Sequence, residues 1–132
     1  MKVLDASALL AFLGNEPGAE VVQAALSEGG VVMHTVNWAE VLSKRAERGD
    51  DPAQVHAALT ASGLIGRLVV IDPGTPEDAM NVAALRPATR EGGLSLGDRY
   101  CLALGRRLNA PVLTTDRAWS DLAVGVTVQQ IR

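Results

Sequence analysis

Cysteine, aromatics and lysine are all scarce in this chain. Cys101 is the only cysteine, so no intrachain disulfide can form, which fits a reducing compartment. Its spacing from His34 and His56, the two histidines, matches no zinc motif. Four aromatic residues among 132 leave no stacking platform for single-stranded nucleic acid. Basic residues number 12 against 15 acids, a net charge of -3, which excludes the broad basic footprint of a DNA-binding protein. Local basic strips remain, and a divalent cation would invert the field around an acidic site. The N-terminal apolar run, Val3 to Leu13, is too short to span a bilayer and Asp5 interrupts it. Only Lys2 precedes it, with no small-residue cleavage site, so the expected location is cytoplasmic.

Other absences narrow the chemistry. No Gly-rich phosphate loop of the P-loop or dinucleotide kind is present. No histidine neighbours a suitable nucleophile, which removes support for a two-histidine ribonuclease. A phosphotransfer receiver would need paired acids at the first strand and a late lysine, yet Asp5 stands alone and Lys44 is the last lysine. A DxD phosphatase would need a second aspartate where the chain reads DAS (5–7).

What is present is a core and an alternation. Apolar residues make up 48% of the chain, enough for one domain spanning 1–132. Lys2–Asp5 reads as a short buried strand that runs into a helix, Ser7–Leu13, with Pro17 in the first turn of the next helix. VVMHTV (31–36), LVVID (68–72), PVLTTD (111–116) and VTVQQI (126–131) read as further strands. Helices follow at NWAEVLSKRAERG, with Gly49 at its C′ position, and at DPAQVHAALTASG, with Asp51 as N-cap and Pro52 at N1. Another begins near Pro76, RPATREGGLS reads as a polar loop, and LGDRYCLALGRRLNA forms a long helix with Cys101, Leu104 and Leu108 on one face. RAWSDLA holds a short helix. Strands alternating with helices imply an α/β class with a mainly parallel sheet covered on both faces. Strand order is not legible from this pattern.

Four acids share one kind of address. Asp5 ends the first strand, Glu40 opens the helix after the second, Asp98 opens the long helix, and Asp116 ends PVLTTD. In an open α/β sheet these positions lie along one edge, where ligands bind. Each acid alone has a structural explanation. Asp5 and Asp116 can cap the helices that follow them, while Asn37-Trp-Ala-Glu40 and Ser95-Leu-Gly-Asp98 read as capping boxes. Asp72, before Pro73-Gly74, has a similar address and reads only as a turn residue. Together, however, four converging carboxylates must raise a pKa or recruit a cation. An all-oxygen cluster suits Mg²⁺ or Mn²⁺, whose bound water can act as a nucleophile and whose other natural ligand is a phosphate oxygen. The chemistry suggested is metal-assisted phosphodiester hydrolysis.

With these residues placed, the chain resembles a PIN domain, and most closely a VapC-type toxin ribonuclease. VLDASALLAFL (3–13) resembles the family's opening strand and helix, NWAEVLSK (37–44) the helix bearing its glutamate, and LSLGDRYCLALGRRLNAPVLTTD (94–116) its last stretch with two aspartates. The resemblance runs in order from Val3 to about Ile131. It implies a three-layer α/β/α sandwich and an Mg²⁺- or Mn²⁺-dependent endoribonuclease. By position Asp5, Asp98 and Asp116 would hold the metal, and Glu40 would complete the cluster by orienting or deprotonating water. Ser7 and Thr115 resemble hydroxyl positions beside the site. A homodimer is implied, as is a cognate antitoxin that lays a peptide over the acidic groove. Given the negative charge, RNA would rely on local cations such as Lys44, Arg45, Arg86, Arg90 or Arg99. His34 and His56 read as structural, Trp38 and Trp119 as packing or dimer contacts, Cys101 as a core thiol, and Asp121 as outside the site. A PIN-fold nuclease without an antitoxin, or a non-catalytic binding module, are the alternatives.

Overall fold

A computed structural model describes residues 1–132. Its five strands are β1 (Lys2–Leu4), β2 (Val31–His34), β3 (Val69–Asp72), β4 (Val112–Thr114) and β5 (Val128–Gln130). They form one sheet in the order β3-β2-β1-β4-β5, and every pairing is parallel. Seven α-helices surround it: α1 (Ala6–Leu13), α2 (Ala19–Glu28), α3 (Thr35–Glu47), α4 (Pro52–Ala61), α5 (Pro76–Ala84), α6 (Arg86–Thr89) and α7 (Leu96–Leu108). No helix is long and apolar enough to cross a membrane.

Side chains alternate across a strand, so adjacent residues feed different cores. Leu4, Met33, Val69 and Leu113 face one side, where they meet Leu9 of α1, Val22 of α2 and Val41 of α3. Val3 and Val112 face the other, against Val82 of α5 and Leu102 and Leu104 of α7. This is the expected three-layer α/β/α arrangement. From β1 the chain steps outward to β2 and β3 with helices on the first face. It then jumps back to β4 and β5 with helices on the second. Reversing direction and face together keeps one hand for all crossovers. The reversal leaves a switch point between β1 and β4, the place where open α/β sheets bind ligands.

Several boundaries differ from expectation. β2 stops at His34 because the imidazole Nδ1 accepts the Val36 N–H at 3.1 Å and caps α3, so Thr35 and Val36 are helical. Pro17 lies ahead of α2, whose N-cap is Gly18 at φ 97°. Gly18 also abuts Ile131, where a Cβ would stand 2.7 Å from the carbonyl oxygen. RPATREGGLS is not all loop, since α6 occupies its start, and the buried Thr89 hydroxyl donates back to Leu85 O at 2.8 Å.

The far half of the C-terminal edge is held by charge. Arg107 donates to Asp72 Oδ1 at 2.6 Å and to Asp78 Oδ1 at 3.0 Å, and His34 Nε2 meets Asp78 Oδ2 at 3.1 Å. Because Nδ1 is an acceptor, Nε2 carries the proton of the neutral ring and donates it to Asp78. Asp72 is a turn residue as expected, accepting Gly74 N–H at 2.8 Å, and it is also this arginine's partner. Hydrogen bonding to Arg107 lowers the Asp72 pKa. At Asp78 burial acts to raise it, but Arg107, His34 and the Thr75 N–H outweigh burial and lower it. Lowered carboxylate pKa values contribute stability above the ordinary range near 4, which is lost as pH falls through the lowered values. Arg107→Met leaves Asp78, fully buried, without its cation. We predict a loss near the lower end of ~3–5 kcal/mol in urea unfolding at pH 7, shrinking below pH ~4. An equal deficit at both pH values would refute this account of the network.

Candidate active site

Asp5 and Asp116 follow the ends of β1 and β4, while α3 and α7 carry Glu40 and Asp98 to the same switch point. β1 ends at Leu4, paired with Leu113 of β4, so Asp5 emerges beside the end of β4. Asp5 is 4% exposed. Its Oδ1 accepts the Ser7 hydroxyl at 2.7 Å and the Ala8 N–H at 2.8 Å, and its Oδ2 accepts the Thr114 hydroxyl. The Ser7 hydroxyl in turn accepts the Thr115 N–H at 3.0 Å, and Thr114 Oγ1 accepts the Asp116 N–H at 3.0 Å. Two hydroxyls thus stitch the β1 and β4 ends together around one carboxylate.

Asp5, Glu40, Asp98 and Asp116 line a single cavity of about 380 Å³. Ser7, Thr115 and Lys44 line it too. Of the five candidate cations, Lys44 alone reaches it. Arg45 is held by Asp50 at 2.7 Å, Arg99 donates to Val82 O at 3.0 Å, and Arg86 and Arg90 lie outside the lining. Asp121 is exposed and does not line the cavity.

The electrostatics centre on Asp98. Burial pushes the Asp5 carboxyl up to about 6, opposed by the Thr114, Ser7 and Ala8 hydrogen bonds and reinforced by Asp98. Burial also raises Glu40, with Asn37 opposing and Asp98 adding to the rise. Asp98 itself is raised by burial, opposed by Ser95, and pushed further by Asp116. Asp98 therefore lies within electrostatic reach of all three others.

Capping and convergence prove compatible. Asp5 caps α1, Asp116 caps the 3₁₀ turn Arg117–Trp119, and Ser95 and Asp98 form a reciprocal box. Capping occupies Asp98 Oδ2 and Asp116 Oδ1, which leaves one oxygen of each free. The expected box at Asn37 is not formed. His34 is the cap, and the Asn37 amide instead donates to Glu40 Oε1 at 2.8 Å. Thr115 lines the cavity and contributes its backbone N–H to Ser7, while the neighbouring Thr114 supplies the hydroxyl bonded to Asp5. The signal for Thr114 was its place as the last buried residue of a strand adjoining the Asp5 strand, where a hydroxyl needs a partner.

His34, Asp72 and Asp78 are the only three potential ligand side chains whose atoms all lie within 4.8 Å of one another. Both carboxylates of that set are already paired with Arg107, and His34 spends both ring nitrogens, so it is a structural cluster. No three of the cavity acids come that close together, and the one lining cation, Lys44, is paired with Glu47 rather than with any of them.

The PIN domain family profile matches residues 2–125. The chain belongs to the PIN domain family. No curated protein matches it by sequence. Its fold is similar to VapBC2 from Rickettsia felis, at a TM-score of 0.71 and 12% identity over 98% of this chain and 97% of that one. A toxin-antitoxin complex from Klebsiella pneumoniae aligns at TM-score 0.71 and 18% identity, covering 100% and 98%. FitAcB from Neisseria gonorrhoeae aligns at TM-score 0.71 and 20% identity, covering 99% and 98%. In this PIN domain His56 is exposed and accepts the Trp38 indole N–H at 3.2 Å, while Trp119 and Cys101 are fully buried. None of the four contributes to the cavity.

The raised Asp5 has a thermodynamic signature. A carboxyl raised from 3.8 to about 6 contributes stability below the ordinary pKa, which is lost as pH rises through 6. In metal-free protein Asp5→Asn should therefore raise stability by up to about 3 kcal/mol at pH 8, with little gain at pH 4. Thermal unfolding across that range tests it. A variant less stable than wild type at pH 8 would overturn this account of Asp5.

Proposed function

We propose that this PIN domain is an Mg²⁺- or Mn²⁺-dependent endoribonuclease and the toxin of a toxin–antitoxin pair. The observation that carries this reading is the convergence of Asp5, Glu40, Asp98 and Asp116 on one cavity, with three of the four raised in pKa and only exposed Lys44 as a lining cation. The donor set fits a hard divalent ion. It is all oxygen, Asp98 and Asp116 each keep a free carboxylate oxygen, and Asp5 Oδ2 has a lone pair beyond its Thr114 bond. Acids spaced wider than a tight cage suit an ion that keeps several waters.

Asp5, Asp98 and Asp116 would hold the ion. When bound, a divalent ion polarises a phosphoryl oxygen and lowers the pKa of its water. Ser7 and Thr114 fix the Asp5 carboxylate, and Ser95 fixes Asp98 at the start of α7. Glu40 keeps Oε2 free to accept a proton from, or orient, the attacking water. Lys44, one turn beyond Glu40 on α3, supplies positive charge for an RNA phosphate at the rim. The Klebsiella pneumoniae neighbour is a toxin-antitoxin complex, which supports a protein antitoxin as partner here. A basic segment of such an antitoxin would neutralise the same acids. A homodimer would place two Lys44 rims along one RNA.

Purified protein should cleave RNA with Mg²⁺ or Mn²⁺, and Asp5→Asn and Asp98→Asn should each lower the rate on the order of 100-fold or more. Asparagine keeps the size and the capping oxygen but removes the charge. Cleavage at the wild-type rate by both variants would sink the reading. Mn²⁺ should also raise the melting temperature of wild type and leave Asp5→Asn unmoved.

A further inference from the structure

Glu40 alone of the four acids accepts no backbone N–H. Its carboxylate is carried on a long, half-exposed side chain, and Asp98 repels it. Rotation about its torsions would carry the charge out to water, where both desolvation and repulsion are relieved. Two features oppose that escape.

The first is Asn37, which is fully buried in the first turn of α3. Its Nδ2 donates to Glu40 Oε1 at 2.8 Å and to the Gly97 carbonyl of α7 at 2.9 Å. Both partners are acceptors, so the amide orientation is determined; flipping it would set oxygen against two oxygens. The same orientation leaves Asn37 Oδ1 buried without a donor. An apolar residue of similar size would avoid that orphan, but would leave Glu40 and the Gly97 carbonyl without this donor. The second feature is Gly97 itself. A Cβ there would overlap the Glu40 carboxylate, so Glu40 lies against bare backbone one residue before Asp98.

We propose that Asn37 is a positioning residue that holds the Glu40 carboxylate on the Gly97 face of α7, next to Asp98, with Gly97 supplying the space. The inference rests on the reading of Glu40 as a site acid. Asn37 touches neither substrate nor metal. It acts through Glu40, and its bond to the Gly97 carbonyl ties that carboxylate to the helix that carries Asp98.

Two variants attack the arrangement by different routes: Asn37→Ala removes the donor, and Gly97→Ala fills the space while leaving Asn37 intact. If Asn37→Ala fails to fold, Asn37→Leu, which fills the same space without a donor, carries the same test. Each should show Glu40 displaced from α7 in a crystal structure of the variant. Each should also lower kcat on RNA and the calorimetric affinity for Mn²⁺ by about 10–100-fold, the range for groups that orient a ligand. In a Glu40→Ala background either substitution should cost little more, because the group it acts through is already gone. Glu40 in its original place in the Asn37→Ala structure, or equal losses with and without Glu40, overturns the proposal. A Glu40→Ala protein that cleaves and binds Mn²⁺ like wild type instead removes Glu40 from the proposed chemistry, while the crystallographic position still decides what Asn37 does.

Discussion

A carboxylate without water at the point where a parallel sheet changes direction is the constraint around which this molecule is organised. Asp5 cannot be moved outward, because it ends a strand buried on both faces and starts a helix whose apolar side packs on the same core. It is tolerated through two hydroxyls and an N–H, yet these do not offset burial, and its pKa stays high. Three further acids at the cavity add negative charge to this one, against the single exposed lysine Lys44. A protein built only for stability would place a cation there, as it does on the far half of the same edge, where Arg107 lies between Asp72 and Asp78. The two halves of one sheet edge thus handle buried acids in opposite ways. One is closed by its own arginine; the other is left open.

Helix α7 links the halves. Its first turn presents Asp98 to the cavity and its last turn presents Arg107 to the structural cluster. Between them Tyr100 packs on the His34 ring at a centroid distance of 4.9 Å. His34 caps the helix that carries Asn37 and Glu40. The charged cluster therefore fixes the relative placement of α3 and α7, and through them Glu40 and Asp98, without itself touching the cavity. Capping, usually an alternative to a functional role, serves here as its support: the N–H groups that satisfy helix starts also restrain the acids.

Much of this was legible in the sequence because it depends on local patterns. The alternation of β-branched runs with helical segments placed the elements, and the addresses of Asp5, Glu40, Asp98 and Asp116 placed the acids. What was not legible depends on long-range contacts. The capping role of His34 was missed because imidazole is an uncommon cap, so Asn37 was read as the cap when it faces α7, 60 residues later in the chain. The choice of Thr114 over Thr115 depends on which strand residue points at β1, which requires the β1–β4 pairing. The fate of Asp72 depended on an arginine 35 residues away. Strand order, which brings Asp5 beside Asp116, has no local signature.

The hydroxyl stitching at the switch point has a consequence for the time at which the cavity comes into being. Thr114 is 109 residues from Asp5, and Thr115 is 108 from Ser7. On a ribosome the first acid is therefore made long before the strand that orients it. Until that strand is made the four acids cannot converge, since the nascent chain has Asp5 but neither Thr114 nor Asp116.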